Sequence, residues 1–171
     1  MKKTIFFGIP MLALFATAIV FFYSSCTTDP CKDVVCLNDG VCNTGTCDCA
    51  PGYEGTDCST VSRDKFIGNF LVNDQCSSSG TSSYNVTIAA SSTDVTKALI
   101  SNVWGTFANT VVATIDGSTM TIALQEPDND GFTVSGSGTI NGATGVITIT
   151  YTVTDTSTGN TDSCNSIWTK Q

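Results

Sequence analysis

The sequence predicts an all-β protein in two unequal parts. A small disulfide-rich module comes first, and an eight-stranded antiparallel up-and-down β-barrel follows, with a two-sheet β-sandwich as the alternative for the larger part. Three observations lead there. Of nine cysteines, six crowd between Cys31 and Cys58 while Cys76 and Cys164 stand far apart. Charged residues make up only 13% of the 171, whereas Thr, Ser, Gly and Asn abound, a composition that suits strands and turns better than helices. Beyond Cys58, apolar and polar residues alternate with a period of two, the mark of half-buried strands.

The chain opens with Lys2 and Lys3, continues as an almost unbroken apolar run from Ile5 to Tyr23, and reaches Ser24-Ser25-Cys26. This is the basic, apolar and small-residue plan of a secretory signal. The run is also long enough to cross a bilayer, so a retained span is the rival reading. The segment resembles a bacterial lipoprotein signal, in which the cysteine becomes the first mature residue and carries the acyl chains, although Tyr23 replaces the usual aliphatic residue. The resemblance implies a signal peptide over 1–25 and lipidation at Cys26, palmitate included. It also implies a short tether over 26–30 and a place on the bacterial outer membrane, at its periplasmic or cell-surface face. Cysteine parity agrees, because an odd total in an exported chain leaves one thiol for another task. The formal net charge is −8, and the leader contains two lysines but no acidic residue, so the mature chain is more acidic still. Such a surface repels phosphate backbones, and no nucleic-acid partner is expected.

Between Cys31 and Cys58 the spacing is C-x4-C-x5-C-x4-C-x-C-x8-C, ending Cys47-Asp48-Cys49-Ala50-Pro51-Gly52-Tyr53-Glu54-Gly55-Thr56-Asp57-Cys58. So short a segment cannot bury enough apolar surface to offset its chain entropy, so it depends on covalent closure. Asn38-Asp39-Gly40 reads as a turn between two short strands. A structural zinc site would suit clustered cysteines, but the compartment is oxidising, histidine is absent and no C-x2-C pair occurs. The spacing and the C-x-C-x2-G-Y-x-G-x2-C ending resemble an epidermal-growth-factor-like (EGF-like) domain over 31–58. The resemblance implies pairing of Cys31 with Cys42, Cys36 with Cys47, and Cys49 with Cys58. Calcium-binding members of that family carry an acidic and amide cluster before the first cysteine. Here only Asp29-Pro30 precedes it, and Asn43-Thr44-Gly45-Thr46 is too short to supply the second ligand set, so calcium is not expected.

A polar linker over 59–65 leads to the larger domain, 66–171. The period-two runs and their turns predict strands near 66–74, 84–90, 97–103, 110–116, 118–125, 132–140, 145–154 and 162–169. The clearest run places Ile147, Ile149, Tyr151 and Val153 on one face and Thr148, Thr150, Thr152 and Thr154 on the other; Met120, Ile122 and Leu124 are expected inward in the same way. Asp116-Gly117 and Asn141-Gly142 are short-hairpin dipeptides, and Pro127 to Gly131 is a longer turn. Adjacent runs with short links form a meander, and in an even-stranded meander the first and last strands are antiparallel if they pair. Cys76 would then lie beside Cys164, and a disulfide there would latch a closed barrel without exposed edges. An eight-stranded barrel opening Phe66-Ile67-Gly68-Asn69-Phe70 is similar to lipocalin-like barrels, with Phe70 where that family often has tryptophan. Trp168 is expected as a core aromatic packed across the barrel floor.

Candidate chemistry is sparse. Absence of histidine excludes Ser-His-Asp and Cys-His mechanisms, and the disulfides leave no thiolate nucleophile. Glu126, Asp128 and Asp130 imitate the first half of a calcium loop, but Ser137 stands where that loop needs a bidentate Glu, so they read as a solvated turn and only weak metal candidates. Asn85-Val86-Thr87 fits a glycosylation triplet and reads more simply as strand. No catalytic residue and no cofactor are expected. The function expected is a noncatalytic, lipid-anchored extracytoplasmic binding or adhesion module, in which the EGF-like unit is a pedestal for the β domain. Its partner would be an extracellular protein or glycan; the alternative is a lipocalin-like carrier of a small apolar ligand.

Overall fold

The computed structural model of the protein describes residues 29–171. The expected signal peptide at 1–25, the lipidation site Cys26 and most of the 26–30 tether lie outside the described residues. Among the described residues no helix is long and apolar enough to cross a membrane.

The cysteine-rich module contains β1 (Val41–Asn43) paired with β2 (Thr46–Asp48) in an antiparallel hairpin, and β3 (Tyr53–Glu54) paired with β4 (Thr60–Val61). Thr44 and Gly45 take positive φ at the hairpin tip. Disulfides join Cys31 to Cys42, Cys36 to Cys47, and Cys49 to Cys58. Apart from Cys58 and Gly52, its side chains remain exposed or half-buried, and Val35 and Val41 are open to solvent.

The segment expected as a plain linker is structured. Thr60–Val61 completes a ladder of the module, and Ser62–Phe66 forms a 3-10 turn whose Phe66 is fully buried. The Arg63 guanidinium donates to the carbonyls of Ser91, Asp94 and Lys97, which fastens this turn to a barrel loop. Lys65 pairs with Glu54 at 2.7 Å.

The larger part is an eight-stranded closed barrel, not a sandwich. Its strands are β5 (Gly68–Cys76), β6 (Gly80–Ala90), β7 (Lys97–Ser101), β8 (Val111–Asp116), β9 (Thr119–Gln125), β10 (Phe132–Ile140), β11 (Ile147–Asp155) and β12 (Thr161–Lys170). Each pairs antiparallel with its sequence neighbours, and β12 returns to β5 in a ladder that sets Cys164 directly opposite Cys76. The Cys76–Cys164 disulfide therefore ties the first barrel strand to the last.

Period two puts Phe70, Val72, Val86, Ile88, Ile147, Ile149, Val153 and Trp168 inside, all at most 2% exposed. Trp168 and Phe70 fill the barrel at the end where the module attaches, and the Lys170 ammonium covers the Phe70 ring from 5.8 Å. Gly136 and Gly138 face Tyr151 and Ile149 across the β10–β11 ladder, and a Cβ on either would lie within 2.8 Å of Tyr151 or Ile149 side-chain or neighbouring carbonyl atoms. Glycine lets the neighbouring large side chains enter the core there.

Two local expectations need correction. Leu124 is 73% exposed, because the β9–β10 register shifts by a residue between Val134 and Gly136. A bulge inserts one residue on one strand and reverses the inside-outside phase beyond it. The Gln125 amide closes the resulting gap, accepting from Val112 N–H and donating to Val112 C=O. The Asn141-Gly142 dipeptide does not close a two-residue hairpin; the connection runs over 141–146, with the Asn141 carboxamide oxygen accepting from the N–H groups of Ala143 and Thr144.

Candidate functional site

The two barrel mouths differ. One is occupied by the connector and the module: Phe66 closes it, and Gly52 approaches the loop between β6 and β7 so closely that a Cβ would lie 2.8 Å from Val95. A cleft of about 430 Å³ between Cys49–Tyr53 and Thr114–Asp116 marks this junction. The other mouth is formed by the loops at 77–79, 102–110, 126–131 and 156–160 and points away from the module.

At this distal mouth the connection between β7 and β8 folds over the barrel rim as a short 3-10 turn, Val103–Gly105. Asn102 and Trp104 both have left-handed backbones, with φ of 61° and 60°. Asn tolerates that region, but a bulky side chain does so only at a cost of about 1–3 kcal/mol, a strain that clusters at functional positions. Gly105 follows at φ 70°, where a Cβ would meet the Tyr84 ring at 3.3 Å. The turn thus lies on Tyr84 and projects Trp104 beside Phe132 and Phe107, with ring centroids 5.9 and 6.1 Å away. Trp104 and Phe132 form one side of a cleft of about 350 Å³, and Ser78, Ser79, Asn160, Thr161 and Asp162 contribute its polar side.

The carboxylates at this mouth are already engaged. Asp162 accepts from the N–H groups of Ser78 and Ser79 and from the Ser77 hydroxyl. Burial raises its carboxyl, but hydrogen bonding from the Ser79 side chain, the Ser78 and Ser79 N–H groups and the Trp104 side chain outweighs the burial and holds it below the ordinary carboxylate range. Asp155 accepts from the hydroxyls and N–H groups of Ser157 and Thr158, which lower it in the same way. Cys76, Cys164 and Asp162 come close enough together to suggest a metal site, but both sulfurs are consumed in the disulfide. The weak candidates Glu126, Asp128 and Asp130 are not brought together around a common point. Asp128 accepts from Ala108 and Asn109 N–H, which depress its carboxyl, Glu126 accepts from Gly131 N–H, and Asp130 from Phe132 N–H. Asp128 thus ties two rim loops together, while Glu126 and Asp130 shape their own loop.

Beneath the mouth lies a polar cluster that sequence reasoning missed. Asp74 points into the barrel at 2% exposure, and its Oδ2 accepts hydrogen bonds from the hydroxyls of Tyr84, at 2.7 Å, and Tyr151. Burial above all pushes both phenols well beyond their ordinary range, and the Asp74 carboxylate adds to the rise. Asp74 Oδ1 has no hydrogen-bond partner among the described residues. The cluster was visible in principle, since Phe70, Val72 and Asp74 share one face of a period-two run. Trp104 left no such trace, because nothing in its neighbours announces a left-handed tryptophan.

The outer wall of β11, β12, β5 and β6 carries an open trough of about 650 Å³. Its outward side chains are the hydroxyls and amides of residues such as Asn73, Gln75, Thr81, Thr148, Thr150 and Asn165 together with the exposed Ile167, and none carries a charge or an aromatic ring.

With the hairpin, the turn glycines and the three disulfides described, the small module can be compared with known proteins. Residues 26–58 match the EGF-like domain family. The match begins at Cys26 and takes in the residues read from sequence as the tether. No curated protein matches the chain. The EGF-like domain and its disulfides fit an extracellular protein, and the barrel gives that small domain a much larger neighbour.

Proposed function

We propose that this chain is a noncatalytic binding or adhesion module, lipid-anchored through Cys26 to the bacterial outer membrane, in which the EGF-like domain is a pedestal and the barrel's distal mouth is the recognition surface. The observation that carries the reading is the contrast between the mouths. The pedestal covers the mouth nearest the anchor, and the free one presents a strained tryptophan beside a second aromatic ring and a set of hydroxyl and amide groups. Concave sites with an apolar face and a few placed polar groups are where binding proteins take their ligands. The interior weighs against the lipocalin-like carrier, because Phe70, Ile88, Ile100, Met120, Ile149 and Trp168 already occupy it at 2% exposure or less.

The test is the native mass of the full chain extracted in mild detergent from its own membrane. The expected species begins at Cys26, carries acyl chains including palmitate, holds four disulfides and releases no passenger. Retention of residues 1–25 would overturn the anchor, and a releasable small apolar molecule would favour the carrier.

A further inference from the structure

We infer that the distal cleft takes a neutral saccharide, stacked on Trp104 and Phe132 and hydrogen-bonded to the Asn160 amide and the Thr161 hydroxyl. This rests on the distal mouth being the recognition surface and names the chemistry it recognises. The cleft contains no Lys or Arg, and Asp155 and Asp162 stand at it, so an anion would meet repulsion without a compensating cation. A free ammonium fares little better. The Asp155 oxygens accept four bonds from Ser157 and Thr158, and those of Asp162 accept from Ser77, Ser78 and Ser79.

A neutral ligand with an apolar face and a hydroxyl edge remains, which is the chemistry of a pyranose. The Trp104 and Phe132 rings are inclined at 39° and offer two faces for C–H surfaces. Asn160 and Thr161 line the same cleft, and their side chains are exposed and make no hydrogen bond among the described residues. An amide and a hydroxyl each donate and accept, as sugar hydroxyls do. The volume of about 350 Å³ suits one or two sugar rings, at the lower end of ordinary ligand sites. The left-handed backbone of Trp104 also finds a reason, since it sets the half-buried indole at the edge of the core, where it lines the cleft.

The protein supplies its own reporter. It has two tryptophans, and Trp168 is fully buried, so a fluorescence change on ligand addition reports Trp104. The full chain in mild detergent would be titrated with neutral oligosaccharides of the β-glucan, α-mannan and chitin series. At least one series is expected to give a saturable change that added salt leaves intact. By calorimetry, the affinity should fall about tenfold or more in Asn160→Ala and in Trp104→Ala, with circular dichroism showing both variants folded. No binding in any series, or binding that both variants leave intact, would overturn the inference. Attachment of the same protein to immobilised mucin, before and after periodate cleavage of its sugar diols, separates the two levels. Loss on periodate treatment supports the saccharide. Attachment that survives periodate but falls with Trp104→Ala overturns the saccharide and leaves a protein-binding module, whereas no attachment together with no sugar binding overturns both.

Discussion

The EGF-like domain and the barrel solve the same problem by opposite means. The small domain buries almost nothing beyond Cys58 and Gly52 and closes three short loops, with cysteines 9 to 11 residues apart, by disulfides. The barrel buries more than twenty apolar side chains in one cluster and uses a single disulfide, between cysteines 88 residues apart. The contrast teaches that a disulfide means different things in the two places. In the pedestal it replaces a core; in the barrel it reinforces a closure that β12–β5 pairing and the packed interior already make.

The sharpest way to strain that comparison is to cut the barrel latch. On chain-entropy grounds the Cys76→Ala/Cys164→Ala double variant should lose about 4–5 kcal/mol in denaturant unfolding, more than for any one short pedestal loop, at about 3 kcal/mol. It should nonetheless stay folded in water, as near-ultraviolet circular dichroism would report. A latch variant that is unfolded without denaturant would place the barrel in the same class as the pedestal.

Alkali should find the barrel's polar weak point next. Tyr84 and Tyr151 ionise near pH 10 in the unfolded chain, whereas burial and Asp74 keep them protonated in the fold well above that pH. Their contribution is complete below pH 10 and is lost as pH rises beyond it, by about 1.4 kcal/mol per pH unit for each tyrosine. Equilibrium unfolding between neutral and strongly alkaline pH should show this slope, and Tyr84→Phe/Tyr151→Phe should flatten it.

Packing comes third. In Gly136→Ala the new methyl group would lie 2.6 Å from both Thr150 O and Tyr151 Cβ, so overpacking should cost about 1–3 kcal/mol in thermal or denaturant unfolding. Smallest is the Glu54–Lys65 ion pair between pedestal and connector, which is partly solvated; Glu54→Gln should change stability by less than about 1 kcal/mol, and added salt should shrink even that.

The regular parts of this architecture were legible and the irregular parts were not, for a physical reason. Alternation along β5 to β12 follows from each side chain's choice between core and water, so Ile147 to Val153 showed their face directly, and the eight runs implied a closed barrel. Leu124 misled because a bulge reverses the phase of alternation without changing composition. The stretch 59–65 looked like a polar linker because Arg63 and Ser62 serve as fasteners through backbone carbonyls and N–H groups, which no side-chain pattern records. At the distal mouth, the carboxylates legible from sequence, Glu126, Asp128 and Asp130, hold rim loops. Trp104, whose place depends on a left-handed backbone, lines the cleft instead.

Hydrogen exchange of the full chain with and without a reductant tests most directly the claim that covalent closure holds the pedestal and an apolar interior holds the barrel. The account predicts that reduction strips protection from the amides of β1 to β4 while β5 to β12 remain slow to exchange. Retained protection in the reduced pedestal, or simultaneous loss across all twelve strands, would contradict it.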